Sequence, residues 1–144
     1  CKADYVLIIS RDKFKEMLEE IYTYFSDECL AHIPELTSVG ALDYETVYEC
    51  RRYARLTKKH WPKAYADYSE IIRCILAFPD KYAYKIAYRK YASVKHSTAL
   101  AALWELSNMA VNYSKYALLD YAKRNFMVDT DTGELILNDL FFEP

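Results

Sequence analysis

The sequence predicts a mainly α fold, a single-domain bundle of about five helices around one central apolar helix with a small C-terminal β-hairpin. Three observations carry that expectation. Only two of the 144 residues are glycine and four are proline, too few turn formers for a β-sandwich or barrel. Hydrophobic residues make up 53% and charged ones 28%, which fits neither disorder nor a membrane-spanning class. Apolar residues also recur at three- and four-residue steps along much of the chain. One domain over residues 1–144 follows from the length.

The elements are expected in this order. Tyr-Val-Leu-Ile-Ile at 5–9 is too short for a membrane span or the apolar region of a signal peptide. Ser10 can cap a helix over about 10–33, with Phe14, Met17, Leu18, Ile21 and Phe25 on one face. Pro34 stops it, and residues 34–43 read as a loop. Asp43 caps a second helix over about 44–60, since Trp61 precedes Pro62 and is biased away from the helical region. Pro62 opens a third helix, 62–78, and Pro79 closes it. Asp80 caps a fourth over 81–95, and Ser97 caps a fifth over 98–124. Between 97 and 114 the only charge is Glu105, so this last helix is the buried centre of the bundle. Asp-Thr-Asp-Thr-Gly at 129–133 then turns a hairpin over about 126–137, with Gly133 where a positive φ is wanted.

Charge is divided more sharply than the net of −2 suggests. Residues 1–50 hold four Lys/Arg against eleven Asp/Glu, residues 51–96 hold twelve against three, and residues 97–144 hold three against seven. Such blocks point to a polyanion partner, or to basic elements lying against acidic ones within the monomer. On the expected helices, Arg51, Arg55 and Lys59 share an arc with Tyr44 and Tyr48, while Lys81, Lys85, Arg89 and His96 share one bordered by Tyr84 and Tyr88. Like charges four residues apart repel, so something outside the helix should compensate them. Cations interleaved with tyrosine suit nucleic acid, the cations meeting phosphates and the rings stacking on unpaired bases.

Other chemistry is sparse. The four cysteines include no Cys-x-x-Cys pair and read as reduced thiols in a cytoplasmic setting. Cys29 and His32 lie three apart, as two metal ligands on a helix would, but no second pair accompanies them. Asp129 and Asp131 begin like a calcium loop, and the register then fails at Gly133, Glu134 and Leu140. Arg55-Leu-Thr-Lys-Lys-His60 resembles the Arg-x4-6-His motif of the HEPN helical ribonucleases. That resemblance implies metal-independent RNA cleavage by Arg55 and His60, although Leu56 stands where the family prefers Asn, Asp or His.

The reading that follows is a non-enzymatic helical module that binds RNA or single-stranded DNA, or a ribonucleoprotein, with no cofactor, metal or membrane. Arg51, Arg55, Lys59, Lys81, Lys85 and Arg89 would meet phosphate, and Tyr48, Tyr84 and Tyr88 would stack. The alternative is a small protein-interaction or inhibitor subunit docking on an acidic or nucleic-acid-binding partner. The HEPN-like ribonuclease comes third.

Overall fold

A computed structural model describes residues 5–42, 45–77, 97–113 and 117–142. Among them it contains four α-helices and eight strands: β1 Tyr5–Arg11, α1 Asp12–Tyr24, α2 Asp27–Leu30, β2 Leu36–Leu42, β3 Glu45–Arg51, β4 Ala54–Arg55, α3 Pro62–Leu76, α4 Thr98–Tyr113, β5 Leu118–Leu119, β6 Phe126–Val128, β7 Leu135–Leu137 and β8 Phe141–Phe142. A 3₁₀ turn, Lys123–Asn125, leads into β6. The strands form two antiparallel three-stranded sheets, β1-β3-β2 and β4-β6-β7, and a two-stranded pair, β5-β8. The expected five-helix bundle is therefore corrected to a mixed α and β architecture.

The largest correction falls on the second expected helix, 44–60. Its first part is β3, in which Thr46, Tyr48 and Cys50 are buried while Glu45, Val47, Glu49 and Arg51 are exposed or half-buried. That alternation has the strand period of two, and the β-branched Thr46 and Val47 with Tyr48 suit a pleated surface. β3 is flanked by β1, with Ile8 opposite Tyr48, and by β2, with Leu36 opposite Cys50. β2 occupies the segment expected to be a loop, its register slipping between Ser38 and Gly40. Residues 37–41 are all exposed, including Val39 at 50%.

The first expected helix, 10–33, is divided. Ser10 lies in β1 opposite Thr46, α1 ends at Tyr24, and Ser26 caps the one-turn α2 by accepting the Cys29 N–H at 3.3 Å. The Tyr22 hydroxyl donates to the Pro34 carbonyl and accepts from the Leu36 N–H, tying α1 to the start of β2.

Two expectations match what is observed locally. α3 begins at Pro62, where the missing N–H costs nothing in a first turn. β6 and β7 pair as a hairpin with Gly133 at φ 74, and the Gly133 N–H reaches the Asp129 carbonyl at 2.7 Å. The fifth expected helix is shortened from 98–124 to α4. Its C-terminal part is replaced by β5, paired to β8, and by a turn in which Asp120 Oδ1 accepts the Ala122 N–H. The fourth expected helix, 81–95, lies outside the described residues.

α4 is central all the same. Ala99, Leu100, Ala102, Leu103, Trp104, Ser107, Met109 and Ala110 are buried along it, as expected of a helix apolar nearly all round. Its core joins Ile71 and Ile75 of α3, Leu56, and Phe126, Val128, Leu135 and Leu137 of the hairpin. Tyr68 meets Phe126 edge-on at 5.0 Å between ring centroids. Full burial of each such side chain contributes about 1.5–3 kcal/mol. The core thus fixes α3 against the β4-β6-β7 sheet, and the loop between β4 and α3 is held at both ends.

Candidate nucleic-acid interface

That loop is where cations are exposed. Arg55 on β4 and Lys58, Lys59 and His60 in the following turn all face solvent. No carboxylate among the described residues pairs with Arg55, Lys58 or Lys59. Leu56, 1% exposed, anchors the loop from below, while Arg55 opposite Met127 fixes its start in the sheet. The turn closes on itself: the Trp61 N–H reaches the Thr57 carbonyl at 3.0 Å, and Thr57 Oγ1 lies 3.0 Å from His60 Nδ1. Half-buried Trp61 and Tyr65 form the aromatic border. Lys123, from the 3₁₀ turn before β6, lies 5.6 Å from the Tyr65 ring centroid and adds a further cation.

The neighbouring cations behave differently. Arg51, at the end of β3, reaches Asp129 Oδ1 at 3.1 Å and also pairs with Asp131, both in the β6–β7 turn. These two carboxylates raise the pKa of its guanidinium against the opposing effect of desolvation, which is the larger single influence. Lys63, in the first turn of α3, meets Glu134 Oε1 at 2.5 Å, a bond that raises its pKa. Part of the basic block is therefore the internal counterweight to the acidic C-terminal segment. Asp129 and Asp131, the two acids of the calcium-like run, are engaged with an arginine.

The sequence-selected residues separate accordingly. Arg55 and Lys59 come together in the exposed loop, and Arg51 does not join them. Tyr48 is 5% exposed on β3, so its ring belongs to the interior of the sheet and cannot stack on a base there. Lys81, Lys85, Arg89, Tyr84 and Tyr88 lie outside the described residues, as do Tyr44 and His96. The Arg55–His60 pair does not lie on a helix: Arg55 is in a strand and His60 in the turn before α3. This removes the helical setting that the HEPN-like reading assumed. Lys123 was missed, because residue 123 is brought to Tyr65 only by the packing of α3 on the hairpin, where Tyr68 meets Phe126.

Cys29 and His32 do not form a metal site. Cys29 is buried in the main core, and both His32 ring nitrogens are occupied, Nδ1 by the Leu135 carbonyl at 2.6 Å and Nε2 by Thr98 Oγ1 at 2.7 Å. Among the described residues no group of three His, Cys, Asp or Glu could hold a metal ion. No helix among them is long and apolar enough to cross a membrane. No family model matches the chain, and no curated protein or solved structure matches it.

Proposed function

We propose that the protein is a non-enzymatic nucleic-acid-binding module of mixed α and β structure, working in the cytoplasm on RNA or single-stranded DNA. The observation that carries this reading is the set of exposed cations Arg55, Lys58 and Lys59, which have no carboxylate partner among the described residues, between two cations, Arg51 and Lys63, that have one. A loop that holds like charges together, with no carboxylate among the described residues against them, is suited to an external anion. The half-buried Trp61 and Tyr65 border the loop while packing against the main core, and Lys123 over the Tyr65 ring adds charge beside them. We propose single strands because an unpaired base can also use the exposed edge of such a ring. Lys81, Lys85 and Arg89 extend the same basic stretch in sequence and are proposed as further phosphate contacts.

The test is the salt dependence of binding to a fluorescent single-stranded oligonucleotide. Four phosphate contacts on a single strand give a log–log slope of about −3, and a slope near zero rejects the reading. The second reading, docking on an acidic protein surface, is favoured by the way Arg51 and Lys63 already accept protein carboxylates. An unstructured poly-glutamate chain that competes as well as RNA at equal charge would select it.

A further inference from the structure

The edges of the two three-stranded sheets are protected unequally. β4 is two residues long and carries Arg55, and beyond β7 the Leu137 N–H reaches the His32 carbonyl at 2.8 Å. Short strands, charge and covering chain are the usual protections of an edge. β2 is an edge of the other sheet, in the order β1-β3-β2, and from Leu36 to Leu42 it holds no charge and no proline. Residues 37–41 are all exposed, so the strand overhangs the core on both faces. Its one protection is a bulge at Val39, where the register with β3 slips. The Arg51 N–H bonds the Glu35 carbonyl, so alternation turns the backbone groups of Leu36 and Ser38 away from β3. The Tyr22 hydroxyl takes the Leu36 N–H at 3.1 Å. Ser38, and Ala41 past the bulge, have no backbone partner on that outer side among the described residues.

The charge around this edge selects its occupant. Opposite residues of antiparallel strands share a face, so Thr37 lies with Glu49 and Gly40 with Val47, away from the buried Tyr48 and Cys50. Arg51 on that face is held by Asp129 and Asp131. Glu45, Glu49 and, just before β2, Glu35 have no Lys or Arg partner among the described residues. We infer that β2 is a docking edge for an extended segment of a partner protein that carries Lys or Arg at alternate positions. The segment adds as a further strand, its backbone bonding Ser38 and Ala41 and its cations falling on the face of Glu45 and Glu49. Those cations start two strand spacings, about 10 Å, from β3. Their long stems cross Thr37 and Gly40, and the space over Gly40 is open, since a Cβ there would meet nothing within 4 Å. The same carboxylates repel phosphate, so this surface is separate from the cationic loop and stands whether or not that loop binds nucleic acid.

The experiment uses the full chain and a fluorescent peptide of alternating lysine and threonine, about ten residues long. The peptide should bind, and its glutamate–threonine counterpart should not. Two further peptides keep the charge and carry backbone N-methyl groups, one on its lysines and the other on its threonines. Only one of these frames turns its N–H groups toward β2, so one peptide should lose about ten-fold in affinity while the other binds as before. Ser38→Pro removes an outward N–H without touching the bonds to β3, and should cost about ten-fold at an unchanged urea midpoint. Glu45→Lys with Glu49→Lys should make the glutamate peptide the better ligand. Arg55→Glu with Lys59→Glu should leave the lysine peptide within about two-fold, which separates this edge from the loop. A lysine peptide that does not bind, equal binding of the two methylated peptides, or indifference to the Glu45 and Glu49 reversals overturns the inference. Should Ser38→Pro fail to fold, the methylated pair still decides. Self-association in sedimentation that Ser38→Pro abolishes would assign the edge to a second copy of the chain and overturn the inference as well.

Discussion

Arg51 and Arg55 stand four residues apart in one basic stretch and meet opposite fates. Arg51 ends a strand that points toward the β6–β7 turn, where Asp129 and Asp131 take its charge. Arg55 lies beyond the bend, on a two-residue strand paired with the outer side of β6, and neither it nor Lys58 or Lys59 has a carboxylate partner among the described residues. A basic run in sequence is therefore not yet a basic surface. Whether a cation is available to a partner depends on where the acidic segments return in space, here from 78 residues away for Asp129.

Charge reversal on the exposed side should have the largest effect. Arg55→Glu with Lys59→Glu should weaken oligonucleotide binding by about 100-fold, each reversal exchanging an attraction to phosphate for a repulsion. Stability should stay within about 0.5 kcal/mol, as exposed substitutions usually do. Loss of the folded state in urea titration, rather than loss of binding, would place these residues in the core and break the contrast.

Arg51→Ala is the matching change on the paired side. It leaves Asp129, whose side chain is 13% exposed, without its counter-ion. The urea midpoint should fall while the oligonucleotide affinity stays within about two-fold, since no phosphate contact is removed. A loss of affinity equal to that of the Arg55 and Lys59 reversals would merge the two regions into one surface.

A smaller effect, of opposite sign, is expected at Asp67. Desolvation raises its carboxyl pKa above the ordinary value, so the ionised form is disfavoured in the fold relative to the unfolded chain. That destabilisation is absent in acid and grows as pH rises through the folded pKa. Asp67→Asn should therefore raise the melting temperature at neutral pH, with the gain disappearing as pH falls into the ordinary carboxylate range. A gain independent of pH would refute this cause.

The smallest effect should come from His60→Ala. His60 is exposed and its Nδ1 meets only Thr57. At neutral pH the affinity should change by less than about two-fold, and RNA incubated without metal should remain intact in wild type and variant alike. Cleavage by the wild type that His60→Ala abolishes would restore the ribonuclease reading and make this end of the loop a reaction centre.

Some of this was legible from residues near one another in sequence. Pro62 and the apolar spacing after it predict α3, and the turn before Gly133 predicts the β6–β7 hairpin. Residues 36–51 were not legible, because two periods compete there. Val47, Cys50 and Ala54 match a helical face, and Thr46, Tyr48 and Cys50 match a strand face; the flanking strands β1 and β2 decide between them. Ser10 likewise has the chemistry of a helix cap, yet it pairs with Thr46 in a sheet. At the candidate interface, Arg55 and Lys59 were found because they lie close together in the chain. The removal of Arg51 from that set and the arrival of Lys123 depend on contacts across more than 50 residues, which no local pattern encodes.

The two backbone links at His32 also place a clock on folding. Its ring donates to the Leu135 carbonyl and its own carbonyl accepts from the Leu137 N–H, across 103 residues in the first case. Synthesis at about 5–20 residues per second leaves roughly 5–20 seconds between the appearance of His32 and of the strand that completes its surroundings. Over that interval Leu56, Ile71, Ile75 and the apolar face of α4 have no hairpin to cover them. Nascent chains should therefore be captured by holding chaperones until residues 134–137 emerge, and an arrested chain ending just before Glu134 should stay sensitive to protease.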